Sequence, residues 1–138
     1  MENSSETYFL LATVADFTAV IVHGIIGHRV LMSPLTRDRL FPTRAFGDED
    51  MSWRIFAVTW HVVTAAYASS GVALLLLALG LLHGTSLPLS LSAMHATFLI
   101  VGVSIVGRRL LSALRRPIPI MFAICMTTVC VAGWLGTR

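Results

Sequence analysis

Four long blocks of apolar residues, separated by short polar stretches, make up most of this chain. The apolar positions do not alternate with polar ones, and the second and fourth blocks carry no polar stripe. Each block reaches the roughly 18 to 20 residues needed to cross about 30 Å of hydrocarbon. The pattern therefore predicts an all-α fold, a single-domain integral membrane four-helix bundle that runs up-down-up-down. The predicted helices cover about residues 8–32, 53–82, 87–112 and 117–135.

The composition strengthens the membrane interpretation. Of the 138 residues, 56% are hydrophobic and only 12% are charged. A soluble domain of this size normally carries about twice that share of charged residues. The acidic N-terminal tail lacks the positive region of a signal peptide, so the first block is predicted to be a retained helix. The lipid bilayer is thus the first expected partner.

Basic residues predict the orientation of the bundle. They cluster in the first and third connections, whereas the second connection, 83–88, has neither lysine nor arginine. By the positive-inside bias, the first and third connections are cytoplasmic and both termini lie outside, in a bacterial inner membrane. Arginines beside a membrane helix set topology and meet anionic lipid headgroups, so no nucleic-acid partner is expected. The arginines concerned are Arg29, Arg37, Arg39, Arg44, Arg54, Arg108, Arg109, Arg115 and Arg116.

Ionisable residues within the predicted spans are the main functional signal, because such residues are costly in a membrane and usually have a role. Three helices each contribute one histidine, His23, His61 and His95, and the first helix adds Asp16. At about 1.5 Å per residue, His23 and His61 lie about 10 and 8 Å from the cytoplasmic boundary, and Asp16 and His95 about 20 and 18 Å. We therefore expect two tiers, His23 with His61 and Asp16 with His95.

The leading prediction is a cofactor site in the lower tier. His23 and His61 on facing helices are expected to ligate the iron of haem b, as in membrane four-helix cytochromes. Arg29 and Arg54 would then meet the propionates at the cytoplasmic interface. The function that follows is electron transfer or a small redox reaction.

Other chemistry fits the same side chains. A transition-metal ion would take His23, His61 and His95 as nitrogen ligands and Asp16 as a carboxylate partner. Alternatively, Asp16 and His95 form a titrating pair that handles protons or a substrate. A different class is a non-catalytic membrane subunit or small-solute transporter whose histidines bind neighbouring helices or relay protons. Assembly as a homo-oligomer or within a larger membrane complex is compatible with each of these.

Two short motifs carry a resemblance. His23-Gly-Ile-Ile-Gly-His28 in the first helix, followed by Trp60-His61-Val-Val-Thr64 in the second, resembles a group of small bacterial four-helix integral membrane proteins. These proteins have an HGxxGH segment on helix one and WHxxT on helix two, and the likeness covers roughly half of the chain. The resemblance implies the four-helix fold and a shared site for His23 and His61, and it brings no activity with it.

Overall fold

The computed structural model describes residues 2–33 and 48–138, and these form four long helices and no strand. The all-α prediction is confirmed, and each helix is long and apolar enough to cross a membrane. A 3-10 turn, Gly107–Arg109, and a short helix, Leu110–Ala113, follow the third helix. The four helices are α1, which is α-helical over Glu2–Val20 and continues as a π-helix over Ile21–Met32, α2 (Glu49–Ala78), α3 (Ser86–Val106) and α4 (Pro117–Leu135).

Helix α2 begins and ends about four residues before the predicted limits, and capping explains both ends. The Asp48 carboxylate accepts a hydrogen bond from the Met51 amide at 2.7 Å, which satisfies one of the free donors at the helix start. At the other end Gly80 adopts a positive φ of 67°, a conformation that glycine reaches without strain. The Leu81 amide then donates to the Leu76 carbonyl at 2.9 Å and closes the helix.

Helix α1 packs along both α2 and α4, and α4 also packs along α3. Glycines show the direction of the α1–α2 contact. A Cβ atom at Gly24 would lie 2.6 Å from Thr64, and one at Gly71 would lie 3.4 Å from Asp16. Residue numbers rise along α1 as they fall along α2, so these helices run in opposite directions. The same reversal relates α4 to α1 and to α3.

Two apolar clusters fill the interior, and they lie on either side of Asp16 along α1. The upper cluster consists of Phe9, Ala12, Ala15, Leu74, Leu77, Ala78, Val129 and Ala132. The lower cluster is built around Ala19, Tyr67, Cys125 and Met126. The fold therefore holds the Asp16 carboxyl at the junction between two apolar layers.

Candidate functional site

The central feature of the interior is a contact between α1 and α3. Oδ1 of Asp16 lies 2.8 Å from Nε2 of His95, and both side chains have 0% exposed surface. The other ring nitrogen of His95, Nδ1, lies 2.8 Å from the carbonyl oxygen of Leu91 in the preceding turn of α3. The predicted upper tier, Asp16 with His95, is thus confirmed as a hydrogen-bonded pair.

The two contacts of His95 determine how many protons the pair holds. A carbonyl oxygen can only accept a hydrogen bond, so the hydrogen on Nδ1 is donated to Leu91. The contact between Nε2 and Asp16 then needs one more proton, carried either by the imidazole or by the carboxyl group. In both arrangements the pair is neutral as a whole, which is the condition under which ionisable groups tolerate burial.

Buried oxygens near this level lack partners. Among the described residues, Oδ2 of Asp16 and the hydroxyls of Ser70 and Ser92 are buried without a hydrogen bond. Ser92 lies about one turn before His95 in α3, on the side of the upper cluster. A buried polar atom left unpaired costs about 1–3 kcal/mol, so these oxygens are places where a water molecule would be stabilised.

Tyr67 on α2 connects the two levels of ionisable groups. It is 1% exposed, and its ring centroid lies 5.9 Å from that of His95 and 5.8 Å from that of His23. Phe98 and Phe122 pack edge-on against the same ring, at 5.6 and 5.8 Å between centroids. Aromatic packing therefore fills the space between the Asp16–His95 pair and the lower level. No motif in the sequence marks this tyrosine, although it lies two turns after Trp60 in α2.

His23 is held by α2 through its ring face and one nitrogen. The ring stacks on Trp60 with centroids 4.1 Å apart and planes inclined by 15°. Nδ1 lies 2.9 Å from the hydroxyl oxygen of Thr64, which itself donates to the Trp60 carbonyl at 3.3 Å. The Thr64 oxygen therefore accepts the hydrogen of His23 Nδ1. Gly27 makes room for the indole, since a Cβ atom there would lie 2.8 Å from Trp60.

The ring of His61 lies beside the ring of His28. Its centroid lies 5.4 Å from that of His28, with planes inclined by 34°, and both side chains are exposed. The π-helical winding explains this pairing, because Ser33 donates to the carbonyl five residues back, at His28, over 2.8 Å. Positions 23 and 28 would be about 140° apart on an α-helix, but are only about 50° apart on a π-helix with about 4.4 residues per turn. Both histidines of the HGxxGH segment thus contact α2.

The haem and metal ligand sets stay predictions. Among residues 2–33 and 48–138, no group of three or more His, Cys, Asp or Glu side chains is arranged to hold a metal ion. The ring contacts of His23 and His61 are to Trp60 and His28 rather than to each other. Arg29 is exposed, and Arg54 pairs with Asp50 one turn earlier. Three arginines used to predict orientation lie outside the described residues: Arg37, Arg39 and Arg44.

A scan of protein-family models and searches of curated proteins and of solved structures find no match to this chain. The resemblance of the HGxxGH and WHxxT segments to small bacterial membrane proteins therefore stays a prediction.

Proposed function

We propose that this chain is an integral membrane protein that takes up and releases protons at the Asp16–His95 pair. It would act as a small transporter that moves protons across the membrane, and as a subunit of a larger membrane complex it would relay them. The observation that carries the proposal is the 2.8 Å contact between a carboxylate and an imidazole that are both fully buried. Ionisable pairs in membrane spans are typical of proton relays.

The membrane arrangement is part of the proposal. The outer surface of the helices carries large apolar side chains with high exposure, such as Ile105 at 81% and Leu111 at 77%. Contact of that surface with lipid costs no free energy, whereas its exposure to water would. We propose an up-down-up-down bundle in a bacterial inner membrane, with both termini outside.

The distribution of charge supports this orientation. The ring of Phe122 lies 6.3 Å from that of His23, so the start of α4 is at the same end of the molecule as Arg29. The exposed arginines of the α3–α4 connection, Arg115 and Arg116, precede Phe122 by about two turns or less. One end of the described structure is therefore basic, as the cytoplasmic end of a membrane protein usually is.

The neutral pair explains how a proton is both held and released. If the pair gained a further proton, or lost the one shared between Nε2 and the carboxyl group, it would carry a net charge between two apolar clusters. Either step becomes favourable when water reaches the pair, and the unpaired Oδ2 of Asp16 offers water a partner. Proton exchange would therefore accompany opening of the bundle.

A route for water toward the pair would begin at the end of the bundle opposite the exposed arginines of the α3–α4 connection. An open cleft of about 380 Å³ is lined by Glu6, Phe9 and His83, among others. Phe9 lies seven positions before Asp16, about 10 Å along α1. The upper cluster, to which Phe9 belongs, separates the cleft from the pair. Movement of that cluster would admit water from this side while the aromatic packing around Tyr67 closes the other side, as one state of an alternating-access transporter requires.

Proton flux into liposomes tests the proposal. Purified protein is reconstituted with a trapped pH-sensitive dye, and a potassium diffusion potential drives protons inward. The intact protein is expected to acidify the lumen, and Asp16→Asn and His95→Gln should each reduce the rate at least tenfold. The matched control is His28→Gln, which removes an exposed imidazole that lies outside both the cleft and the pair.

Proper folding is verified by helicity and gel filtration of each variant in the same detergent. A flux equal to that of empty liposomes, or an equal flux in the intact protein and both pair variants, would overturn the proposal. Orientation is tested separately by thiol labelling of Ser86→Cys and Ser112→Cys in a background without Cys125 and Cys130. Labelling of intact cells at position 86 and not at 112 is expected.

A further inference from the structure

The pair of exposed imidazoles formed by His28 and His61 is separate from the Asp16–His95 pair and has no role in proton handling as argued above. His28 comes from the π-helical part of α1 and His61 from α2. Their ring centroids are 5.4 Å apart, and both rings are accessible from outside the bundle. Neither ring has another aromatic or hydrogen-bonding partner among the contacts of the described residues.

The separation of these rings matches a shared metal ion. Zinc–imidazole bonds are about 2.0–2.1 Å long, so two imidazoles on one tetrahedral ion have ring centres about 5 Å apart. Two imidazoles on opposite sides of a haem iron would have ring centres about 6 Å apart. The observed 5.4 Å is nearer to the tetrahedral arrangement.

We propose that His28 and His61 bind a divalent transition-metal ion of the zinc type close to the cytoplasmic boundary, with water from that interface in the remaining coordination positions. Imidazole is a preferred ligand of zinc and copper ions. The ion would join α1 to α2 across the bundle surface. Because the site shares no residue with the proton-handling pair, failure of either proposal leaves the other standing.

The π-helical winding is what makes such a site possible. On a regular α-helix, position 28 would point about 140° away from position 23 and so away from α2. The two glycines of the segment allow α2 to approach closely, with Gly24 against Thr64 and Gly27 against Trp60. Because the helix backbones fix the positions of both rings, little conformational entropy is lost when the ion binds.

Zinc titration followed by calorimetry, in an uncharged detergent, tests the proposal. One zinc ion per chain is expected. His28→Gln and His61→Gln should each weaken binding at least tenfold, because loss of either imidazole removes the chelate effect. His83→Gln, which removes another exposed imidazole, should leave the affinity within twofold.

Electron paramagnetic resonance with Cu²⁺ as the probe counts the ligands directly. The hyperfine pattern should show two nitrogens in the intact protein and one in each of the two variants. A readout that needs no variant is protection of His28 and His61 from diethyl pyrocarbonate by zinc, located by mass spectrometry. His83 should stay reactive in the same sample.

Three results would overturn the proposal. The first is a lack of zinc binding by the intact protein, and the second is a zinc affinity in His28→Gln and His61→Gln equal to that of the intact protein. The third is four nitrogens per copper ion, which would mean a site shared between two copies of the chain rather than one completed by water.

Discussion

Asp16 and His95 approach to 2.8 Å between Oδ1 and Nε2, although 79 positions separate them in the chain. The contact joins the first helix to the third, and it lies where the upper and lower apolar clusters meet. The Leu91 carbonyl accepts the Nδ1 hydrogen of the imidazole, so the ring has a fixed orientation, and the variable proton is the one between Nε2 and Asp16. This arrangement has consequences for stability as well as for proton transfer.

Replacement of Asp16 should separate the contribution of the hydrogen bond from that of the charge. Asp16→Asn keeps a group that can donate to Nε2 of His95, so we expect a loss of less than about 1 kcal/mol in the free energy of unfolding. Asp16→Leu leaves Nε2 buried without a partner and should cost about 1–3 kcal/mol. Unfolding in detergent, followed by circular dichroism, measures both. Equal losses for the two variants would show that the hydrogen bond to Nε2 contributes little to stability.

The close approach of α1 to α2 should depend on Gly27. A Cβ atom at this position would lie 2.8 Å from Trp60, so Gly27→Ala must displace the indole from His23. We expect a cost of about 1–3 kcal/mol in unfolding free energy, as in other overpacked sites. A change in tryptophan emission should accompany it.

Gly102 in α3 provides the matched control, because a Cβ atom there would have nothing within 4 Å. Gly102→Ala should be neutral or stabilising, since alanine is the better helix former by about 1 kcal/mol. An equal change in the free energy of unfolding for Gly27→Ala and Gly102→Ala would show that the tight contact between Gly27 and Trp60 does not affect stability.

Thr64 should set the tautomer of His23. Thr64→Val removes the acceptor of the Nδ1 hydrogen while nearly keeping the side-chain shape, and should cost about 1 kcal/mol. The ¹⁵N spectrum of imidazole-labelled protein should then show His23 leaving the Nδ1-protonated form. Thr59→Val is the control, because the Thr59 hydroxyl bonds only to the Ile55 carbonyl of its own helix. An unchanged His23 spectrum in Thr64→Val would refute the assignment.

Much of this architecture follows from the sequence by simple physical rules. Helix number follows from the length of the apolar blocks, and the pairing of Asp16 with His95 follows from equal depth at 1.5 Å per residue. Depth depends only on the rise of a helix, so it survives small errors in the predicted helix ends. The depth of a residue along its helix was thus predictable, but the direction of its side chain around the helix axis was not.

The ring contact between His61 and His28 could not be predicted for that reason. The choice between His23 and His28 depends on how far the chain turns between them, and the π-helical winding changes this angle by about 90° relative to an α-helix. No residue pattern in the segment indicates a π-helix. The stacking of His23 on Trp60 likewise depends on the closeness of α2, which the two glycines permit but do not require.

The arrangement of the helices gives the Asp16–His95 contact a mechanical meaning. The chain forms two hairpins, α1 with α2 and α3 with α4, whose main contact is between α1 and α4. Asp16 belongs to the first hairpin and His95 to the second, so their bond fastens one half of the protein to the other. A proton that arrives or leaves changes the attraction across this seam. Chemistry at a single atom pair would thereby become a change in how firmly two halves of a membrane protein are held together.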